Sequence, residues 1–429
     1  MRAVSVVLSL LACPAALAAQ QDTAGVPTVT LDQAVALALE VQPTVVAARG
    51  DLRAAAAGRR EAIGNWLPDV SVSSGFSQRS AQQTDPTTGL PVSGAANSYS
   101  AGLSASIDLF DGFRRPAQNR AAGANLDNAE AQLVDQRFTV VLQTKQAFFN
   151  ALAGQELVRV AATRIQRAEE QLKISRDKLA AGSATRADTL QSTVELANAQ
   201  LQLVNAETQM ATASASLARL IGYEGGAVRA QPDSALLALA PLDTAALRHD
   251  LVTMAPSVVA AEASARAAGA QVAVSRATYF PSLSASYSNS YSGTAIGEMT
   301  NAWRWSLSVN WPLFNGFARE GGLVRASAAA DAARARADDA RRLAQSEFTQ
   351  YLASLRAAQA RTTIAQVSRA AAEENLRVQR ERYRLGAATI VEVLTAQVNL
   401  DQAETDLITA RFDFLVARAQ LEALLGREL

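Results

Sequence analysis

Cysteine and histidine are almost missing from this chain: its 429 residues include one of each, Cys13 and His249. A thiolate nucleophile, a disulfide frame or a Cys/His metal centre needs partners that one Cys and one His cannot supply. His249 falls on an expected helix and reads as a surface or packing residue, so no catalytic site, metal or cofactor is expected. Charge of one sign is also lacking. Forty Lys and Arg balance forty Asp and Glu, which removes the electrostatic reason to expect nucleic acid as a partner. Aromatic residues make up only 5%. Beyond the N-terminus, no stretch approaches the ~18 consecutive apolar residues of a transmembrane helix. A membrane span in this chain would have to be part of a closed barrel.

The N-terminus has one Arg, an apolar run from Val4 to Ala12, a break at Pro14 and small residues at Ala16 and Ala18. That is a secretory signal over residues 1–18. Cleavage after Ala18 would remove Cys13. Alternatively, Leu10-Leu11-Ala12-Cys13 resembles a lipobox in which Cys13 becomes the lipidated first residue, although the middle Leu and Pro14 depart from that pattern.

The rest of the chain is written twice. Leu109-Phe110-Asp111-Gly112-Phe113 returns 204 residues later as Leu313-Phe314-Asn315-Gly316-Phe317, and Gly182 and Leu220-Ile221-Gly222 return at the same offset as Gly386 and Leu424-Leu425-Gly426. Upstream, Pro43 pairs with Pro256 and Trp66-Leu67-Pro68 with Tyr279-Phe280-Pro281 at an offset of 213. The difference falls on the Pro/Gly/Thr-rich loop from Thr84 to Gly94. So long a period signals a duplicated domain rather than a solenoid. The expected layout is signal 1–18, N-terminal tail 19–30, first repeat 31–226 with its tip at Gly182, linker 227–243, second repeat 244–426 with its tip at Gly386, and C-terminal tail 427–429.

Each repeat carries two segments of period-two alternation. Val70, Val72 and Phe76 alternate with serines; Tyr99, Ala101, Leu103, Ala105, Ile107 and Leu109 alternate with Ser100, Gly102, Ser104, Ser106 and Asp108. Leu283, Ala285, Tyr287 and Tyr291 do the same with Ser284, Ser286, Ser288 and Ser290, and Trp303, Trp305, Leu307, Val309 and Trp311 with Arg304, Ser306, Ser308 and Asn310. Segments of about 10 residues, apolar on one face and small and polar on the other, suit outer-membrane strands. A soluble hairpin with one buried face would alternate equally. It would have little reason to gather all four tryptophans, Trp66, Trp303, Trp305 and Trp311, where amphipathic rings suit the membrane interfaces. Four strands cannot close a barrel, which takes about eight, so several copies must share it.

Between the strands the pattern is helical. From Arg115 to about Leu179 and from Arg319 to about Leu385 the chain has no proline beyond Pro116, tolerated in a first turn. At about 1.5 Å per residue each is a rod or broken rod of roughly 100 Å. Shorter helices are expected over about Leu31 to Gly64 and Thr244 to Ala277. Further helices follow Asp188 and Glu392 and run back to Gly222 and Gly426, which makes Gly182 and Gly386 hairpin tips.

The strand-to-helix turns Phe110-Asp111-Gly112-Phe113-Arg114 and Phe314-Asn315-Gly316-Phe317, the strand entries at Trp66-Leu67-Pro68 and Phe280-Pro281, and above all the tip from Arg382 to Leu394 resemble TolC-type outer-membrane factors. These are the exit ducts of tripartite efflux pumps and type I secretion systems, and the likeness runs from about Leu31 to Gly426. It implies a homotrimer in outer-membrane lipid, with a twelve-stranded barrel continued by a helical coiled-coil tunnel into the periplasm. It also implies tips, at Gly182, Ser183, Thr185, Gly386, Ala387 and Thr389, that meet a periplasmic adaptor linked to an inner-membrane pump.

The same resemblance makes Glu392 a ring of three charges at the periplasmic mouth. Relatives often carry a second acid one turn on, where this chain has Thr395. It also makes Asp188 and Tyr383 a latch that pinches the entrance, but Ala388 stands where the family's latch arginine would be, with Arg186 or Arg384 as candidate substitutes. Asp188 and Glu392 equally suit the plain role of helix N-terminal carboxylates. A trimeric coiled-coil surface or structural protein with an anchoring barrel is the competing class. Its strands would form one terminal block, whereas these are internal and occur twice.

Overall fold

Two helices of 67 residues set the length of the molecule: α3 (Arg114–Ala180) and α6 (Ala318–Arg384). Each is one unbroken element, about 100 Å long at ~1.5 Å per residue. The computed structural model describes residues 26–84, 91–232 and 255–429. The leader with Cys13, most of the tail, the centre of the Thr84 to Gly94 loop, His249 and the linker beyond residue 232 lie outside the described residues.

Shorter helices flank the two rods. Thr30 starts α1 (Leu31–Val41) with a capping box closed by Gln33. The single helix expected from Leu31 to Gly64 is two, because Pro43 begins α2 (Pro43–Gly64) and leaves Gln42 extended at φ −61°, ψ 125°. The residue before a proline is pushed out of the right-handed helical region. Gln42 Nε2 then donates to the Leu220 carbonyl at 2.5 Å, tying the break to the end of α4 (Arg186–Leu220). Pro256 likewise opens α5 (Pro256–Ala277), and α7 (Ile390–Leu425) closes the chain. On the sheet side, α2 packs on α3, α3 on α5, and α5 on α6; on the tip side the order is α4, α3, α7, α6.

The largest core lies at the waist. Phe148, Phe149, Leu217, Phe348, Leu355, Phe414 and Leu421 pack there with Val29 and Ala230. The last two come from β1 (Thr28–Val29) and β4 (Arg229–Ala230), a short parallel pair that joins the expected tail to the expected linker. Elsewhere the helices approach closely through small residues. A side chain at Gly154 would meet the Met210 backbone at 3.0 Å.

The second sheet is antiparallel in the order β2 (Asp69–Thr84), β3 (Pro91–Phe110), β5 (Ser282–Gly293), β6 (Thr300–Asn310). Strands β5 and β6 have nearly the expected length. Strands β2 and β3 are longer, because their ladder runs on after the pairing of β3 with β5 ends at Tyr99 and Gly293. Residues opposite each other share a face. Val70, Ala105, Tyr287 and Trp305 form one row across all four strands, and Ile107, Ala285 and Leu307 another. The opposite face carries Ser71, Ser104 and Ser288, then Ser106, Ser286 and Ser306. Its hydroxyls bond one another: Ser71 to Ser104 at 2.7 Å, and Ser284 to Ser308 and Ser286 to Ser306 at 2.8 Å. The large apolar side chains on the first face are mostly exposed in the single chain, Val72 at 81% and Trp303 at 71%.

Candidate functional site

Both hairpin tips are built alike. Gly182 and Gly386 take left-handed backbone at φ 73° and 78°, a conformation free of steric cost only for glycine. At each, the chain closes back on the ending helix. The Ser183 amide donates to the Lys178 carbonyl at 2.8 Å, and the Ala387 amide donates to the Arg382 carbonyl at 2.7 Å, the pattern that satisfies the last carbonyls of a helix. Thr185 and Thr389 then cap the next helices. Asp188 and Glu392 complete reciprocal capping boxes with them, each satisfying two otherwise orphaned amides. Nothing lies within 4 Å of where a side chain at Gly182 or Gly386 would begin, so the surface at both tips is open.

The structure does not join Asp188 to Tyr383. The Asp188 carboxylate turns onto its own cap, accepting from the Thr185 hydroxyl at 2.8 Å and the Thr185 amide at 3.3 Å. Glu392 accepts from the Thr389 amide at 3.3 Å and lies 3.6 Å from the Arg382 guanidinium, still partly exposed. Tyr383 is buried among Leu376, Ile390 and Val393, and its hydroxyl has no hydrogen-bond partner within the described chain. The cation that reaches it is Lys178 of α3. The Lys178 ammonium sits 4.2 Å from the ring centroid and donates to the Tyr383 carbonyl, whereas Arg384 pairs with Glu381 at 3.1 Å.

Above the tips lies a buried ionic cluster that the sequence did not reveal. Arg164 meets Glu195 at 2.7 Å and Asp401 at 2.9 Å, while Arg167 meets Asp401 and Glu404, each at 2.8 Å. Burial pushes the Asp401 carboxyl up to about 6, against the pull of Arg164 and Arg167 and with added repulsion from Glu404 and Glu195. Desolvation lowers nearby Arg380 from its usual range, and Glu170 partly restores it. The cluster ties α3 to both α4 and α7. The only trace in the sequence is matched i, i+3 spacing, Arg164 with Arg167 and Asp401 with Glu404.

At the other end, the same cation–π contact forms at each joint between helix and sheet. The Arg115 guanidinium lies 4.7 Å from the Trp66 ring and that of Arg319 4.9 Å from the Tyr279 ring. Trp66 and Trp311 stand at the helix-facing end of the sheet, and Trp303 and Trp305 lie on its apolar face toward the other end. The Trp311 indole donates to the Tyr279 carbonyl at 3.3 Å.

The family model for outer membrane efflux proteins matches residues 34–223 and 247–427. The chain belongs to the outer membrane efflux protein family. Among its relatives, protein CyaE of Bordetella pertussis is 30% identical over 91% of this chain and 81% of its own. The probable efflux pump outer membrane protein TtgC of Pseudomonas putida is 26% identical over 84% of this chain and 75% of its own. The crystal structure of the outer membrane protein VceC of Vibrio cholerae superposes with a TM-score of 0.77 at 21% identity, covering 93% of this chain and 96% of that one. As an outer membrane efflux protein, the chain has its sheet in the outer membrane and its helices in the periplasm, and it serves as an exit duct for efflux or secretion. CusC, whose crystal structures concern transmembrane channel formation, superposes with a TM-score of 0.80 at 19% identity, covering 92% of each chain.

Proposed function

We propose that three copies of this chain close one twelve-stranded barrel and one twelve-helix tunnel, through which cargo passes passively from a periplasmic adaptor and an inner-membrane pump to the exterior. The observation that carries this reading is that every layer of the chain ends in open edges. In the sheet, β2 and β6 each pair on one side only, and an open sheet edge is not tolerated in hydrocarbon. In the tip-side wall, α4 and α6 are the outermost helices, and each exposes an apolar seam at heptad-compatible spacing. These seams are Leu190, Val194, Leu201 and Val204 on α4, and Ile364, Val367 and Val378 on α6 with Leu385 at its C-cap. Such seams suit coiled-coil pairing. A head-to-tail ring in which α4 of one copy meets α6 of the next covers both, and the same rotation joins β2 to β6.

The duplication over 31–226 and 244–426 is the unit of this ring; the equal lengths of α3 and α6 support it. Three-fold symmetry turns Glu392 into a ring of three carboxylates at the mouth, which favours cations. The entrance latch is Tyr383 with Asp188, and Lys178 takes the place of the missing arginine. The unpartnered Tyr383 hydroxyl supports that assignment. Gly182, Ser183, Thr185, Gly386, Ala387 and Thr389 form the surface for the adaptor's hairpins, and Trp66, Trp303, Trp305 and Trp311 anchor the membrane interfaces. Native mass measurement in detergent and conductance in planar bilayers test the reading together. A trimer that conducts, and conducts better with Asp188→Ala, is expected. A monomer, or a trimer that does not conduct, refutes the duct, and unchanged conductance in the variant removes the latch.

A further inference from the structure

The two halves of the sheet repeat each other's register as well as each other's sequence. The offsets of 213 and 204 carry β2 onto β5 and β3 onto β6. Applied to the β2–β3 ladder, they turn Asp69 opposite Ser106 into Ser282 opposite Asn310, Ser71 opposite Ser104 into Ser284 opposite Ser308, and Arg79 opposite Ala96 into Ser292 opposite Thr300. Every pair of β5 with β6 is reproduced in this way. One ladder lacks a counterpart within the chain, the pairing of β3 with β5. Its image under the same offsets joins β6 to a β2 that belongs to another copy. We propose that β6 pairs with β2 of the next copy so that Asn310 stands opposite Ser73, Ser308 opposite Gly75, Ser306 opposite Ser77 and Arg304 opposite Arg79. This rests on the shared barrel proposed above and fixes what that reading leaves free, the alignment of its seams.

Three observations support this alignment. The first is stagger, which a closed barrel needs at its junctions. A line drawn across the strands from Asp69 passes Ser106 and reaches Ser286, four residues beyond Ser282, the counterpart of Asp69. Continued through Ser306 to Ser77 of the next copy, it gains the same four residues again, whereas a seam with level strand ends would stagger at one junction and not at the other. The second is strand length. The 11 residues of β6 come to lie along residues 73–83, and β2 itself ends at Thr84, so the part of β2 that outruns β5 receives a partner. The third is the separation of faces. Asn310, Ser308 and Ser306 meet Ser73, Gly75 and Ser77 on the hydroxyl face, while Val309 meets Ser74 and Leu307 meets Phe76 on the apolar one. Leu307, Val309 and Phe76 are each more than half exposed in the single chain, and a slip of one residue would exchange the faces.

Disulfide capture in outer membranes tests the alignment, with the parent chain treated identically to control for Cys13. Residues directly opposite in an antiparallel pair have Cα atoms about 4.5–5.5 Å apart, within disulfide reach, and diagonal neighbours lie about 7–8 Å apart, beyond it. Ser306→Cys/Ser77→Cys should therefore link copies at least about five-fold more than Ser306→Cys/Gly75→Cys or Ser306→Cys/Ser73→Cys, which report slips of two and four residues. Stronger capture at Gly75 or Ser73 overturns the register and leaves the shared barrel standing. Capture at none of the three overturns it too, and native mass then separates the readings: a monomer refutes the shared barrel as well, a trimer the register alone. A second comparison uses the like-charged pair. Opposed arginines weaken a cross-strand pair, so Arg304→Glu should raise by a few degrees the temperature at which copies separate in detergent. The Arg79→Glu/Arg304→Glu double variant, like-charged again, should return that temperature to the parental value. An Arg304→Glu chain that separates at or below the parental temperature overturns the register.

Discussion

Asp401→Asn should stabilise this protein at alkaline pH, although it removes a carboxylate from two arginines. Three carboxylates, Glu195, Asp401 and Glu404, face the guanidinium groups of Arg164 and Arg167. The acids are in excess, and Asp401 is the most buried of the three by side chain. Burial, offset by the two arginines and reinforced by the neighbouring acids, raises its carboxyl from 3.8 to about 6. At about 1.4 kcal/mol per pH unit, this corresponds to a penalty on the order of 3 kcal/mol for holding the ionised form in the fold. Because the folded value lies above the unfolded one, the folded chain keeps a proton that the unfolded chain releases between about pH 4 and pH 6. Stability falls across that window, and above it the whole penalty is present. Asparagine cannot ionise; it accepts from one arginine through Oδ1, its Nδ2 can only donate, and Arg164 keeps Glu195 while Arg167 keeps Glu404. Thermal unfolding in detergent, followed by circular dichroism at pH 4 and pH 8, measures the difference. The variant should melt a few degrees above the parent at pH 8 and level with it at pH 4. A variant that melts lower at pH 8 would show that arginine attraction outweighs desolvation, and the account of this cluster would be wrong.

Gly112 has φ 68°, and an added Cβ would stand 2.7 Å from both the Ala277 carbonyl oxygen and the Phe280 Cβ, whereas Gly316 has the same backbone in open space. Gly112→Ala should therefore lower the melting temperature clearly more than Gly316→Ala, whose cost should be about 1–2 kcal/mol; equal effects would contradict the packing described at that joint. Glu392→Gln keeps the capping box, because glutamine serves at that position, and removes only the charge. It should reduce cation selectivity and block by divalent ions in planar bilayers while leaving the melting temperature unchanged. Gly386→Trp fills the open tip and cannot take the left-handed backbone without strain. It should abolish export in cells while the protein still reaches the outer membrane, and export at the parental level would remove this tip from the adaptor surface.

Local features were legible in the sequence where they rest on local chemistry. Serine alternation across Val70 to Phe76 and Trp303 to Trp311 gave the strands and their faces, and Gly182, Thr185, Gly386 and Thr389 gave the tips, because a left-handed ending and a threonine cap are written within a few residues. The break at Gln42 is not legible even with Pro43 in view, since a proline is equally at home at a helix start. Two-residue strands such as β1 and β4 are too short to carry any pattern. What the sequence withheld is register between rods. Arg167 and Asp401 stand 234 positions apart, and Lys178 reaches Tyr383 only because α3 and the end of α6 reach the same level at the tip. No periodicity along one helix reports how far it has slid along another.

The hydroxyl face of the sheet has a consequence for traffic. The serine hydroxyls of this face pair with one another, and among the inner-row residues of β5 and β6 the lone charge is Arg304, so there is little fixed charge here to grip a solute. In the barrel proposed above, a lining of that kind would be slippery and incurious: it would let through whatever is delivered and leave the choice of passenger to the machinery beneath.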